Sequence, residues 1–161
     1  MAFPWRLWPR RGKVESAPAP RIANFDAILL EPEHYEIVAA VGESHHQPEL
    51  RDICGSARWE EVRYRTTAVL VPEPENPHDP MAVAVVAGAE DRGRPVGHLS
   101  RGDAADYYPA VVAAARADRL IACHALICGR GPGSETMNVG IFLHLPEAED
   151  ALREVEEHVR E

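Results

Sequence analysis

Lysine is almost missing from this chain: Lys13 stands alone among 17 basic residues, the other 16 being arginine. Together with abundant alanine, valine and proline this matches the codon bias of a high-GC bacterial genome, so arginine content carries no message about ligands. Cysteine is sparse and odd in number, with Cys54, Cys123 and Cys128, no C-x-x-C pair and no disulfide-scaffold density. A reducing cytoplasm is the expected compartment. No apolar run is long enough to cross a membrane, and Pro4, Arg6 and Pro9 interrupt the basic, aromatic N-terminus before it resembles a signal peptide. The P-loop, the G-x-S-x-G elbow and H-E-x-x-H are all absent, which argues against an enzyme and leaves no catalytic residues to name. The glycine-rich GRGPGS at 129–134 precedes no helix and reads as a hairpin loop.

A surplus of positive charge is also lacking. The net charge is −9, which excludes a protein that coats nucleic acid through bulk electrostatics. Its distribution is uneven: residues 1–21 carry +4, residues 147–161 carry −5, and the body between them −8. Any nucleic-acid site must therefore be local.

What the chain does have is 45% hydrophobic residues over 161 positions, enough for one domain with tails. Residues 1–32 hold five prolines and read as a mostly irregular arm with one short strand near Ala27–Leu30; Trp5, Arg6, Trp8, Arg10 and Arg11 in it could touch a partner. Residues 33–146 read as the domain proper. His34–Gly42 suits a first strand, Pro48–Cys54 a short helix ended by Gly55, and 59–71 a long strand. Met81–Ala87 is a continuous apolar run suited to a strand buried on both faces. A turn at 88–94 and a short strand Val96–Leu99 follow, then a helix capped by Ser100 with Asp103, which Pro109 is expected to bend or split. Arg119–Cys128 and Met137–Leu145 suit further strands. Residues 147–161 form an acidic amphipathic helix with Leu152, Val155 and Val159 at helical spacing. The expected fold is mainly β with helices (α+β): a six-stranded, OB-like or SH3-like β-barrel with two or three helices.

The densest signal runs from Val71 to Arg101. Asn76-Pro77-His78-Asp79 is a turn signature, since Pro77 presets φ and the flanking Asn and Asp side chains bond nearby backbone groups. Taken alone it is more often a simple turn than a site. The pattern x-E-P-x-N-P-x-D-x-x-A-V-x-V, followed by V-G-H-L-S-R and an alanine-rich helix, resembles the HIRAN family from about Tyr35 to Leu145. That family includes the N-terminal domains of helicase-like chromatin and DNA-repair translocases, and small stand-alone bacterial proteins.

The resemblance implies a nucleic-acid-binding module that holds the 3′-hydroxyl end of single-stranded DNA. It would recruit or position a helicase, translocase or nuclease present as a separate chain, with no membrane involved. It assigns the hydroxyl-accepting carboxylate to Asp79 and the base-stacking ring to His78, beside Asn76. It assigns phosphate contacts to His98 and Arg101, with Gly97 allowing close backbone approach, and a loop contribution to His45 and His46. The chain departs from the family where His78 replaces a tyrosine, where Ser44 and Glu43 stand in the loop, and where no aromatic occurs at 135–137. These departures imply a weaker grip on phosphate and base. No cofactor is expected; zinc enters only through His45-His46 and Cys123-His124 with Cys128, whose spacing is not that of a structural zinc site. The rival reading is a protein-interaction adaptor on the same barrel that has lost DNA-end binding, its acidic surface facing a basic partner.

Overall fold

The computed structural model describes residues 26–55, 63–89, 93–129 and 139–161. The aromatic arm at 1–25, the start of the long strand at 59–62, part of the 88–94 turn and most of the GRGPGS loop lie outside the described residues, as do 135–137.

Seven strands and three α-helices follow one another as β1 (Ala27–Leu30), β2 (Glu36–Ala39), α1 (Gln47–Cys54), β3 (Arg63–Pro72), β4 (Val83–Ala87), β5 (Arg94–His98), α2 (Arg101–Arg116), β6 (Leu120–Gly129), β7 (Val139–Leu145) and α3 (Ala148–Arg160). The sheet order is β2-β7-β6-β3-β4-β5, antiparallel throughout, and β1 adds to β6 in parallel with Ala27 opposite Leu120. This is an α+β fold on a curled sheet, with seven strands rather than the expected six. The seventh is Ala27–Leu30, the short strand expected in the arm, which joins the sheet and buries Ile28 and Leu30 in the core. Curling brings the far edges together at one end, where Val41, just past β2, pairs with His98 of β5 through two backbone hydrogen bonds of 2.8 and 2.9 Å.

Alternation explains the strands. In β7, Val139, Ile141, Leu143 and Leu145 point inward while Phe142 and His144 lie half-buried on the outer face. All five residues of β4 are buried because both of its faces are covered: Val83, Val85 and Ala87 enter the main core, and Ala84 and Val86 join a smaller cluster with Val69, Val71, Leu120 and Ala122.

Helix α2 is one helix of 16 residues, not two. Pro109 lacks the N–H that a helix interior uses, at a cost of about 3 kcal/mol. Its ring faces solvent, and the buried row Ala104, Tyr107, Ala110, Val111 and Ala114 holds the helix on the core on either side of it. The Tyr107 hydroxyl donates to Pro146 O at 2.7 Å, tying α2 to the junction of β7 and α3; burial pushes this phenol up to about 12. On α3 the buried stripe is Ala151 and Val155, with Leu152 beside it and Val159 exposed.

Candidate nucleic-acid interface

The Asn76 turn is rigid for a reason that its composition states. Asn76 Oδ1 accepts from the backbone N–H of His78 (2.9 Å) and of Asp79 (3.2 Å), and its Nδ2 donates to Glu73 Oε2 at 3.0 Å. Asp79 Oδ1 in turn accepts from Met81 N–H at 2.9 Å, and Ala82 N–H donates to Asp79 O, which explains why Met81 and Ala82 belong to the turn and β4 starts only at Val83. Each polar side chain in the turn thus substitutes for a missing ladder partner.

Opposite the turn, β5 ends at His98 and α2 begins at Arg101. Gly97 lies against Val41, and a Cβ there would stand 2.5 Å from Val41 O, closer than any side chain tolerates. Ser100 caps the helix: its Oγ accepts from Asp103 N–H at 3.1 Å and donates to Asp103 Oδ2 at 2.9 Å, so one first-turn donor and the helix-end charge are already matched internally.

The two sides meet through four charged or polar groups. Arg101 reaches back over the turn, its Nε 3.8 Å from Asp79 Oδ2 and its Nη2 3.4 Å from His78 O. Arg101 is largely exposed while the Asp79 side chain is only 23% exposed, so the guanidinium forms the outer and the carboxylate the inner member of the pair. The imidazole of His98 stands 3.2 Å from both Glu73 oxygens through Nε2. A carboxylate only accepts, so Nε2 carries the proton. This hydrogen bond, with those from Asn76 and the charge of His98 adding to it, holds the Glu73 carboxyl below its ordinary range against the opposing effect of burial.

Glu73 was quoted within the sequence motif but given no role, because its partner lies 25 residues away. It makes the corner a balanced set of two acids, an arginine and a histidine rather than a basic patch. Asn76, His78, Asp79, His98 and Arg101 are all brought together there. His78 is exposed, with its ring free of the turn's backbone bonding.

The loop of the two adjacent histidines reaches the same corner by another route. Gly42 adopts φ +76°, a left-handed conformation that suits glycine, and opens the 3₁₀ turn Glu43–His45. Gln47 then anchors the loop from beneath: its Nε2 donates to Glu43 O and Val139 O at 2.9 Å, and its Oε1 accepts from Val139 N–H at 2.8 Å. His45 is exposed on this loop. His46 is buried at the start of α1, its Nδ1 3.8 Å from Glu49 Oε1. Sequence reasoning missed Gln47; a buried amide spanning 92 residues leaves no local signal.

The cysteines stand apart from the corner. Cys123 is fully buried and its thiol pushed up to about 12, Cys54 is buried with its thiol at about 11, and both shifts come from burial. His124, on the opposite face of β6 from Cys123, pairs with Glu31 at 2.8 Å. Among the described residues no helix is long and apolar enough to cross a membrane.

Comparison with known proteins adds one finding. The model of the HIRAN domain matches residues 37–139, whereas no curated protein and no solved structure matches the chain. The match contains the Gly42 loop, the Asn76 turn, Gly97, His98 and Arg101, which are the parts the fold gathers at one end of its sheet. The chain belongs to the HIRAN domain family, and its general function is that of a nucleic-acid-binding module.

Proposed function

We propose that the corner between the Asn76 turn and the start of α2 binds the terminal nucleotides of single-stranded DNA by the 3′ hydroxyl. Asp79 Oδ2 accepts the hydroxyl hydrogen, Arg101 contacts the adjacent phosphate, and the exposed rings of His78 and His45 meet the last bases. The observation that supports this most is the pairing of Asp79 with Arg101 at 3.8 Å, an acceptor and a cation held side by side by a turn whose backbone is bonded to its own side chains. A hydroxyl next to a phosphodiester presents the complementary pair.

The grip is local and modest. With Glu73 and Asp79 in the corner and a net charge of −9, few phosphates are neutralised. For about three contacts, log affinity falls against log salt with a slope near −2, at ~0.7 per contact. The module itself performs no chemistry in this reading. It delivers strand ends to a separate DNA-processing enzyme, a helicase, translocase or nuclease.

The test compares 3′-hydroxyl and 3′-phosphate forms of one short oligonucleotide on the wild type and on Asp79→Ala. Wild type is expected to prefer the hydroxyl form, because the added phosphate meets the carboxylate, and Asp79→Ala to lose that preference. Equal binding of both forms by wild type, or none, overturns terminus recognition. That result favours an adaptor role, for which the acidic surface of α3, with seven acids in residues 147–161, offers a face for a basic partner.

A further inference from the structure

A second concave surface lies at the other end of β2, and the family reading assigns it nothing. Strand register builds it. His124 of β6 stands opposite His144 of β7, which stands opposite Ile37 of β2; on the other side His124 faces Thr67 of β3, two residues from Arg65. Side chains alternate across a sheet, so Arg65, His124, His144 and Ile37 all emerge on the outer face.

Just before β2, Tyr35 folds onto this face and stacks on His144, ring centroids 4.3 Å apart and planes 18° from parallel. Glu31 closes the rim by its 2.8 Å contact with His124. The result is a cleft of about 380 Å³, within the range of small-molecule sites. Tyr35 and Val41 bracket β2, so the cleft and the corner are separated by roughly 20 Å of extended chain.

The chemistry of the walls is specific. Tyr35 is 51% exposed although its ring stacks on His144, so about half of its surface stays accessible to a ligand in the cleft. His144 is held below its ordinary pKa, by burial first and then by the charges of His124 and Arg65, so near neutral pH it serves as an uncharged ring rather than a cation. Arg65 is exposed and has no ion pair among the described residues, in a chain whose acids outnumber its bases 26 to 17. A guanidinium with no ion pair among the described residues, beside a half-exposed aromatic ring, matches a ligand that carries a flat ring and an anionic group on one short frame.

We propose that this cleft is a second binding site, for a nucleotide: the base stacks on Tyr35 and the phosphate meets Arg65, with His124 beside it. The proposal rests on the family's nucleic-acid binding and not on recognition of a strand terminus. The same chemistry is offered by a free mononucleotide and by an internal nucleotide of a single strand, and the two sources are separable.

The experiment is an NMR titration of the full chain, reading the ring signals of Tyr35, His124 and His144, with four probes: deoxyadenosine monophosphate, deoxyadenosine, inorganic phosphate and a circular oligothymidylate, which has no end. The monophosphate is expected to shift all three rings saturably and more tightly than either of its halves. Arg65→Gln, an exposed substitution, is expected to weaken it about tenfold, the loss of one charged hydrogen bond, while Tyr35→Leu removes the shift of His144. If the circle moves the same signals, the source is the strand. If only the monophosphate does, it is the free nucleotide. Either outcome upholds the site. Silence of the three rings with every probe at millimolar concentration, or an undiminished response in Arg65→Gln, overturns it. Signals of Asp79 and Arg101, followed in the same spectra with a linear oligonucleotide, report the corner separately, so failure of one site is not read as failure of the other.

Discussion

The two ends of β2 carry surfaces built in opposite ways. At the corner, nearly every polar group is already satisfied from within: Asn76 bonds the backbone, Asp79 bonds Met81, His98 bonds Glu73, and Ser100 and Asp103 cap one another. At the outer cleft, the sheet merely sets rings and a guanidinium side by side. A corner of the first kind is pre-organised and discriminating, since any ligand must replace or extend bonds of fixed direction. A face of the second kind is tolerant, because stacking accepts any base. The contrast predicts that substitutions in the bonded frame of the corner, at Gly97 and Asn76, change stability and selectivity together, whereas that of the exposed Arg65 at the cleft changes affinity alone.

Gly97→Val breaks the comparison most severely. The new side chain would collide with Val41 O, which belongs to backbone and cannot rotate away, so the β2 to β5 closure must open. A loss of about 3 kcal/mol is expected, read as a lower urea midpoint at unchanged slope, together with loss of 3′-hydroxyl preference. The ring signals of His124 and His144 should keep their positions, since His144 pairs with Ile37 near the other end of β2 and His124 lies beyond it on β6. Movement of both sets would mean that the sheet transmits the strain and that the two regions are one.

Asn76→Ala is the next largest test. It leaves the amides of His78 and Asp79 without their acceptor and takes from Glu73 one of its two donors, for about 2 kcal/mol of stability. If the bonding of the turn is what sets Asp79 against Arg101, terminus preference should fall as far as in Asp79→Ala even though the carboxylate is still present. Retained preference in a destabilised protein would show that the turn's own bonding is dispensable to the site.

Where the sequence was readable, the determinants were local. The Asn-Pro turn, the Ser100 and Asp103 cap, the apolar run of β4 and the alternation of β7 all lie within a few residues of what they specify. The rest depends on partners far along the chain. The parallel addition of β1 to β6 joins residues more than 90 apart, so a four-residue apolar segment in a proline-rich arm gave no sign of entering the core. Whether Pro109 splits α2 was open in the sequence for a related reason: the helix penalty is local, while the packing that outweighs it is tertiary. At the corner, the turn and the helix start were visible but the tie between them was not, since Glu73 meets His98 and Gln47 meets Val139 only after folding. The outer cleft had no local trace, because His124 and His144 become neighbours through register alone.

Arg101→Gln sharpens the comparison at smaller cost. Arg101 is 82% exposed, so stability should change little, while affinity for a short single strand falls several-fold and the salt slope becomes shallower by about 0.7, the contribution of one contact. The matching change at the other end, Arg65→Gln, should leave 3′-hydroxyl preference untouched.

The mildest effect concerns pH and separates the two regions by the range in which each loses stability. Glu73 titrates below its ordinary value of 4.5 because it accepts from His98 and Asn76. A carboxyl whose folded pKa is depressed binds its proton more readily in the unfolded chain, so the stability it contributes is fully present above that ordinary value and is lost as pH falls through the folded one. Glu73→Gln should therefore flatten the decline of the urea midpoint in that acid range, because an amide can still accept from His98 but has no proton to bind. At the cleft, by contrast, His144 is depressed as a base, so the stability linked to it is fully present above its ordinary value of 6.5 and is lost as pH falls through its lower folded value. His144→Phe, which keeps a ring under Tyr35, should remove only that step. Two steps that disappear independently, one in each variant, would establish that the corner and the cleft are separate electrostatic units on one sheet.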